Sequence, residues 1–418
     1  MEIRPAWPRR FRMRKYFLLM LVRDLGWWLL GSTPLECGAA WLRRYCTLQL
    51  RRPVRQEESA RLIRVSSSSH PIVQGWIVAE APYSLPGRSA QYDKASTAAM
   101  LDIRARGGAG RKHVDWLCDE GTRVGCDYAG VVEEVGSKVT KPFSKGDRVA
   151  GFAHGGNVVY KEDGAFGEYI TAKGDLQIKI PDNLSFEEAS TLGVGVTTVG
   201  QGLYQSLKLP LPDKPTSEKT YLLIYGGSTA TGSLAIQFAK LSGLTVAVTC
   251  SPRNFDYCKS LGADAAFDYN SPTCAKDIQE WSQDSIVHVF DCISEGDSPK
   301  IAVAAMSTTT GGVYSTLLPV PEEEVKALNA KVEYRSTLGY TVIGESFRFG
   351  PNEVPARPAD LEFGKMFWEV ARALLEQGKV KVHRPSVNKF GKGFEGILKG
   401  MDEMRQGKVS GEKLVFTL

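Results

Sequence analysis

The stretch Tyr221-Leu222-Leu223-Ile224-Tyr225-Gly226-Gly227-Ser228-Thr229-Ala230-Thr231-Gly232 decides the fold. Apolar and aromatic residues run up to paired glycines. A helical pattern follows at once, with Leu234, Ile236, Phe238, Ala239 and Leu241 spaced for one buried face. A strand that turns through glycine into a helix builds an anion site. The glycines let the backbone approach a phosphate, and the free N–H groups and dipole of the first helical turn face it. The spacing departs from the strict G-x-G-x-x-G, so this stretch alone does not identify a dinucleotide fold.

The next element adds the missing support. Leu244-Thr245-Val246-Ala247-Val248-Thr249-Cys250 reads as a second strand, ending in Ser251-Pro252-Arg253-Asn254. In a dinucleotide fold that strand end meets the adenosine ribose, where an acid binds the 2′-hydroxyl or an arginine accepts a 2′-phosphate. No Asp or Glu occurs between Gly243 and Asn254, and Ser251 and Arg253 stand there instead. That choice of residues favours NADPH over NADH. The alternative is an ordinary surface turn carrying a solvated arginine.

Working outward, the 418 residues divide sharply by charge. Residues 1–111 hold 17 Arg and 2 Lys against 8 acids, whereas the remainder carries a net charge of −6. The front segment has no sustained period of 2 or 3.6. Its apolar run Tyr16–Val22 meets Arg23-Asp24 before Leu25–Leu30. A charged pair at that point argues against a membrane span, which needs about 20 mostly apolar residues. The same interruption argues against a secretory signal, while an Arg-rich, acid-poor transit peptide remains open. Basic residues interleaved with Trp and Tyr also suggest a nucleic-acid surface. The expectation is nonetheless a poorly ordered or non-native basic extension over 1–111, a cytoplasmic protein, and neither nucleic-acid binding nor stable membrane insertion.

Eight cysteines, at 37, 46, 118, 126, 250, 258, 274 and 292, form no C-x-x-C pair. This is a reduced pattern without metal-site spacing. His154, His288 and His383 are scattered and read as partly buried or solvated.

From Cys126 onward the organisation is clearer. Strands are expected at Ala129–Gly136, Gly164–Ile170 and Ile178–Pro181, in the manner of a small antiparallel barrel. Helices are expected over 185–209, and strand–helix alternation from Tyr221 to about Tyr314 predicts a doubly wound parallel sheet. Helices follow at Phe363–Gln377 and Ile397–Arg405, and the chain closes on a strand at Glu412–Phe416.

In order, Gly125-Cys126-Asp127-Tyr128-Ala129-Gly130-Val131-Val132, Gly146-Asp147-Arg148-Val149, Gly164-Ala165-Phe166-Gly167-Glu168-Tyr169, Thr197-Thr198 and the glycine turn resemble a medium-chain dehydrogenase/reductase over residues 112–418. The resemblance implies an α/β protein: a Rossmann-type parallel sheet plus a GroES-like β-barrel catalytic domain, here without recognisable strands at its front. The expected division is 112–190 for the first catalytic part, 191–320 for the NADPH-binding Rossmann domain, and 321–418 for the return to the catalytic domain. The zinc-dependent branch has Gly-His-Glu where this chain has Gly125-Cys126-Asp127, and no four-cysteine lobe is present. No metal is therefore expected.

The finer similarity is to the stand-alone enoyl reductases that act in trans with fungal polyketide synthases. It is carried by Tyr225–Thr231, Thr249–Asp256, Phe267-Asp268-Tyr269, Asp291-Cys292-Ile293 and Ser410–Val415. That resemblance implies pyrophosphate binding by Ser228, Thr229, Ala230 and Thr231 after Gly226 and Gly227. It puts Ser251, Pro252, Arg253, Asn254 and Tyr269 on the 2′-phosphate and adenine. Leu317 and Leu318 would flank the nicotinamide with Ser410 nearby, or be plain core. Thr198 with Tyr340, Thr341, Val342, Ile343 and Gly344 would line the acyl channel; the Thr197-Thr198 pair could equally back-bond within its helix. Lys112 resembles the family's active-site lysine, although Gly110-Arg111 precede it. Lys112 and Thr198 would then donate to the thioester oxygen as negative charge develops there. The implied activity is NADPH-dependent reduction of a polyketide-type enoyl thioester on a synthase's acyl-carrier domain. Two alternatives stay open: a quinone or small-enone reductase, and an inactive nucleotide-binding relic.

Overall fold

The structure, a computed structural model, describes residues 122–418 together with the backbone of two short upstream strands. The strands β1 (Trp76–Glu80), β2 (Ala98–Met100), β3 (Asp127–Val135), β4 (Arg148–Phe152), β5 (Tyr169–Lys173), β6 (Gln177–Lys179), β15 (Pro385–Val387) and β16 (Lys413–Thr417) share one mixed sheet. The second sheet takes β7 (Tyr221–Tyr225), β8 (Thr245–Thr249), β9 (Ala265–Phe267), β10 (Ile286–Asp291), β11 (Gly312–Thr316) and β12 (Val332–Ser336). A small hairpin, β13 (Phe347–Phe349) with β14 (Asn352–Val354), stands apart.

The second sheet is wholly parallel and ordered β12-β11-β10-β7-β8-β9. The order reverses between β7 and β10, so a crevice opens beyond the carboxyl ends of those strands. All five residues of β7 are buried because the strand is covered on both faces. Leu222 and Ile224 pack on one side with Val246, Val248 and Phe238, while Leu223 and Tyr225 pack on the other with Ala247 and Val289. The helix Ala230–Leu241 buries Leu234, Ile236, Phe238 and Ala239, as its spacing predicts.

In the first sheet β3 is the hub, antiparallel to β1, β2 and β4. Tyr128, Val132, Val149, Ile170 and Ala172 fill the space it encloses. The return segment closes the sheet, since β16 pairs with both β2 and β15. Two strands from upstream of residue 112 thus enter the sheet through their backbones. The remainder of 1–121, Lys112 included, lies outside the described residues.

One expected strand starts later than its sequence suggests. Gly164–Gly167 is a turn, and the strand begins at Tyr169. Gly164 has φ +140°, and its Cα sits so close to the Arg123 carbonyl that a Cβ would lie 2.8 Å from it. The N–H groups of Ala165 and Phe166 donate to the carbonyls of Gly125 and Val124 rather than to a sheet neighbour. The expected helices at 363–377 and 397–405 are longer than read, spanning Pro358–Glu376 and Gly393–Arg405, with Pro358 opening the first. Over 185–209 there are two short helices, Phe186–Ala189 and Gly193–Val199, and the second runs straight into a π-helix at Gly200–Ser206.

Candidate active site and nucleotide cleft

The turn after β7 is shaped by what glycine lacks. Gly226 has φ +85°, a conformation that L side chains rarely adopt. A Cβ on Gly227 would lie 2.7 Å from Val248, and one on Gly232 would lie 2.3 Å from the Gly226 carbonyl. The N–H groups of Gly226 and Gly227 both reach the Thr249 carbonyl, at 3.1 and 2.9 Å, which ties the turn to the end of β8. Thr229 caps the following helix, its hydroxyl accepting from the Gly232 N–H at 2.9 Å. The first-turn N–H groups of Ala230 and Thr231 have no carbonyl one turn back to bond. With Ser228 and Thr231 at the same turn, this arrangement could hold a phosphate, and its floor leaves no room for side chains.

At the end of β8, Ser251 Oγ lies 3.1 Å from Tyr269 Oη, and Arg253 is exposed on the short 3₁₀ turn Pro252–Asn254. Asn254 is buried and donates through Nδ2 to Ser410 Oγ at 3.3 Å. Ser410, expected near the nicotinamide, stands against Asn254 beside the β8 turn. These side chains fit a 2′-phosphorylated ribose: donors and a cation converge where a dinucleotide fold presents its second strand end, and no carboxylate occurs in that loop.

At the other end, the loop after β10 is organised by a buried carboxylate. Asp291 accepts from the N–H groups of Ile293 and Ser294, each at 2.8 Å, and from the hydroxyls of Ser298 and Tyr314. Burial nevertheless holds its carboxyl above the ordinary range. The Leu317 N–H donates to Ser294 Oγ at 2.9 Å, so Leu317 and Leu318, both partly buried, hang on the same loop.

Thr198 and Tyr340 come close to one another through Gly339. Thr198 is only 5% exposed, and a Cβ on Gly339 would stand 3.4 Å from its hydroxyl. Thr197 and Thr198 part company here: Thr197 accepts from the indole of Trp368 at 3.2 Å, a packing role. Tyr340 stacks on His154, with centroids 4.4 Å apart, and its hydroxyl lies 3.5 Å from Cys126 Sγ. Phe152, Phe347 and Phe349 complete an aromatic wall around it. Its neighbours behave differently. Thr341, Val342 and Ile343 are buried, and Val342 packs so near Gly364 that a Cβ there would clash at 2.3 Å. Gly344 ends the turn with φ +79°.

Gly125-Cys126-Asp127 serves packing and pairing as well. Asp127 is fully buried, accepts from the Val194 N–H, and faces Lys413 Nζ at 3.5 Å. Among the described residues, no group of three or more His, Cys, Asp or Glu side chains could hold a metal ion.

Three features escaped the sequence reading. His154 is buried, and desolvation pushes its pKa down to about 3, so it is a neutral ring that packs on Tyr340. His383 is equally buried and pushed down to about 3, again chiefly by desolvation. Its Nδ1 lies 2.8 Å from Ser233 Oγ and 2.9 Å from Tyr257 Oη. Asp163, bonded to Asn157, has its pKa raised to about 7 by burial, with the Glu345 carboxylate adding to the shift. No local spacing announces these contacts, because the partners are brought together by the fold.

Comparison with known proteins fits this geometry. The alcohol dehydrogenase GroES-like domain family matches residues 95–182, and the zinc-binding dehydrogenase family matches residues 230–350. The chain is 46% identical over 301 residues to the trans-enoyl reductase ACTTS2 of Alternaria alternata, covering 71% of this chain and 84% of that protein. It is 54% identical over 256 residues to the trans-enoyl reductase TOXD of Cochliobolus carbonum, covering 61% of this chain and 84% of that one. The fold is also that of the crystal structure of the CurK enoyl reductase, with a TM-score of 0.61 at 18% identity, over 84% of this chain and 92% of that one. With its parallel nucleotide sheet, its GroES-like sheet and this extent of identity, the chain belongs to the trans-enoyl reductases, oxidoreductases of the medium-chain dehydrogenase/reductase superfamily.

Proposed function

We propose that this chain reduces the α,β-double bond of a polyketide-type enoyl thioester with NADPH, in trans with a polyketide synthase whose acyl-carrier domain presents the substrate. A nicotinamide cofactor is the family's. NADPH in particular is supported by one observation above the rest: the β8 end offers Ser251, Arg253, Asn254 and Tyr269, and no acid, beside a glycine cradle. We place the cofactor-binding unit at 191–320, its sheet completed by β12 beyond that bound, with catalytic segments at 112–190 and 321–418 sharing their sheet with the two upstream strands.

The bound dinucleotide would supply hydride to the β-carbon. The chain's own residues must then do three things. The cradle at 226–232 holds the pyrophosphate. Leu317 and Leu318, fixed through Ser294 and Asp291, give the ring an apolar seat. Thr198, with Lys112, donates a hydrogen bond to the thioester oxygen as the enolate forms, where a preorganised donor in a dry site is worth most. The enolate then collapses by taking a proton at the α-carbon from a tyrosine or water. Tyr340, on its aromatic wall, borders the acyl channel. No metal takes part in this reading; Gly125-Cys126-Asp127 lacks a histidine ligand, and Asp127 accepts from the Val194 N–H and lies 3.5 Å from Lys413 Nζ. A cytoplasmic site of action goes with it; no helix among the described residues is long and apolar enough to cross a membrane.

Cofactor titration of the full chain tests the reading. NADPH should bind more tightly than NADH, and Arg253→Ala should lose about 1.5–3 kcal/mol of NADPH affinity, the worth of a charged hydrogen bond. Equal affinity for the two cofactors in the wild type, or an unaffected Arg253→Ala, would sink it.

A further inference from the structure

Arg384 lies on the return segment, some 130 residues from the β8 turn in sequence, yet it is built into the same end of the cleft. Three contacts hold it there. Its guanidinium carbon sits 3.7 Å above the Tyr257 ring, and its Nε donates to the Gly411 carbonyl at 3.0 Å. Its backbone carbonyl accepts from the Lys413 N–H at 2.9 Å. Tyr257 is itself anchored to the buried His383 through its hydroxyl.

The position of Gly411 shows where the fork points. A Cβ added there would lie 2.7 Å from Asn254 Oδ1 and 3.0 Å from an Arg384 terminal nitrogen, so these two atoms are within 5.7 Å of one another. Gly411 has φ +65°, and Ser410 beside it accepts from Asn254. Arg384 is exposed, and among the described residues neither it nor Arg253 is ion-paired to a carboxylate. A stacked guanidinium whose Nε is already committed presents its two terminal nitrogens as a fixed fork, the geometry that suits a phosphate. Leaving two uncompensated cations at one cleft end has an electrostatic cost that a dianion there would offset.

We infer that Arg384 is a second ligand for the adenosine 2′-phosphate, clamping it from the return segment while Arg253 meets it from the nucleotide sheet. This rests on the NADPH reading above. It makes cofactor selectivity a joint property of the two sheets, so that the phosphate also draws the return segment onto the β8 turn.

The test is fluorescence titration of the full-length protein with NADPH and NADH, for the wild type, Arg384→Gln, Arg384→Met and Arg253→Ala, with adenosine 2′-monophosphate as a competitor. Both Arg384 variants should weaken NADPH about tenfold or more, leave NADH within about twofold, and weaken adenosine 2′-monophosphate in parallel. Equal weakening of both cofactors would assign Arg384 to packing alone and overturn the inference. So would a selectivity that survives in both Arg384 variants but collapses in Arg253→Ala. A wild type indifferent to the 2′-phosphate would instead overturn the cofactor reading, and the inference with it.

Discussion

The two sheets of this molecule are assembled in opposite ways. The nucleotide sheet is drawn from one contiguous stretch, Tyr221 to Ser336, each strand followed by its own crossover and laid beside a near neighbour. The mixed sheet gathers strands from residues 76–80, 98–100, 127–179 and 385–417, and its closing strand pairs across more than 300 residues. The nucleotide sheet is held by local rules: a turn that only glycine can make and strands buried on both faces. The mixed sheet depends on distant groups meeting, such as Asp127 with Lys413. The glycine turn belongs to the nucleotide sheet, whereas Cys126 and Tyr340 border the mixed one.

The largest expected effect breaks the local side of that contrast. Gly232→Val puts a branched side chain where even a Cβ would be 2.3 Å from the Gly226 carbonyl, so the turn and helix cannot both keep their places. Cofactor titration should show binding abolished. Retained NADPH affinity would mean the cradle is looser than described. The next breaks the long-range side. Lys413→Met removes the Lys413 ammonium from the buried Asp127 carboxylate, and breaking a buried pair costs at most about 3–5 kcal/mol. Thermal unfolding should fall sharply, and adding Asp127→Asn should recover part of the loss. An unchanged midpoint in the single variant would remove the pair from the account.

How much of this was legible beforehand follows the same division. Gly226-Gly227, the amphipathic helix after them and the acid-free β8 end are short-range signals, and the structure places all of them at one crevice. Ser410 was readable only through resemblance; the fold sets it against Asn254. Val342 and Ile343, expected along a channel, are both buried, and Val342 packs close to Gly364 on the long helix. A run of five residues in a tight turn cannot all face one way. His383, Arg384 and Asp163 carried no signal, because their partners lie far off in sequence or in a loop without periodicity. The expected poor order of 1–111 concerns residues that lie, apart from the two strands at 76–80 and 98–100, outside those described.

A smaller effect sharpens the comparison within the mixed sheet. Folded Asp163 keeps its proton up to about 7, whereas an unfolded carboxyl releases it near its ordinary value of 3.8. Its contribution to stability is therefore fully present below the unfolded value and is lost as pH rises towards and through 7. Asp163→Asn keeps an acceptor for Asn157 and cannot ionise. Its midpoint should exceed the wild type's at pH 8 and converge with it near pH 4. A constant difference across that range would show that Asp163 ionises normally.

The most direct test of the central claim is turnover. The full-length protein, treated with a chelator, would be given NADPH and either a carrier-bound enoyl polyketide thioester or a simple quinone, and the products identified. The account predicts consumption of one NADPH per saturated thioester, preference for the thioester over the quinone, much slower turnover with NADH, and no loss on chelation. Faster quinone reduction, restoration of activity only by zinc, or tight NADPH binding without any turnover would contradict it.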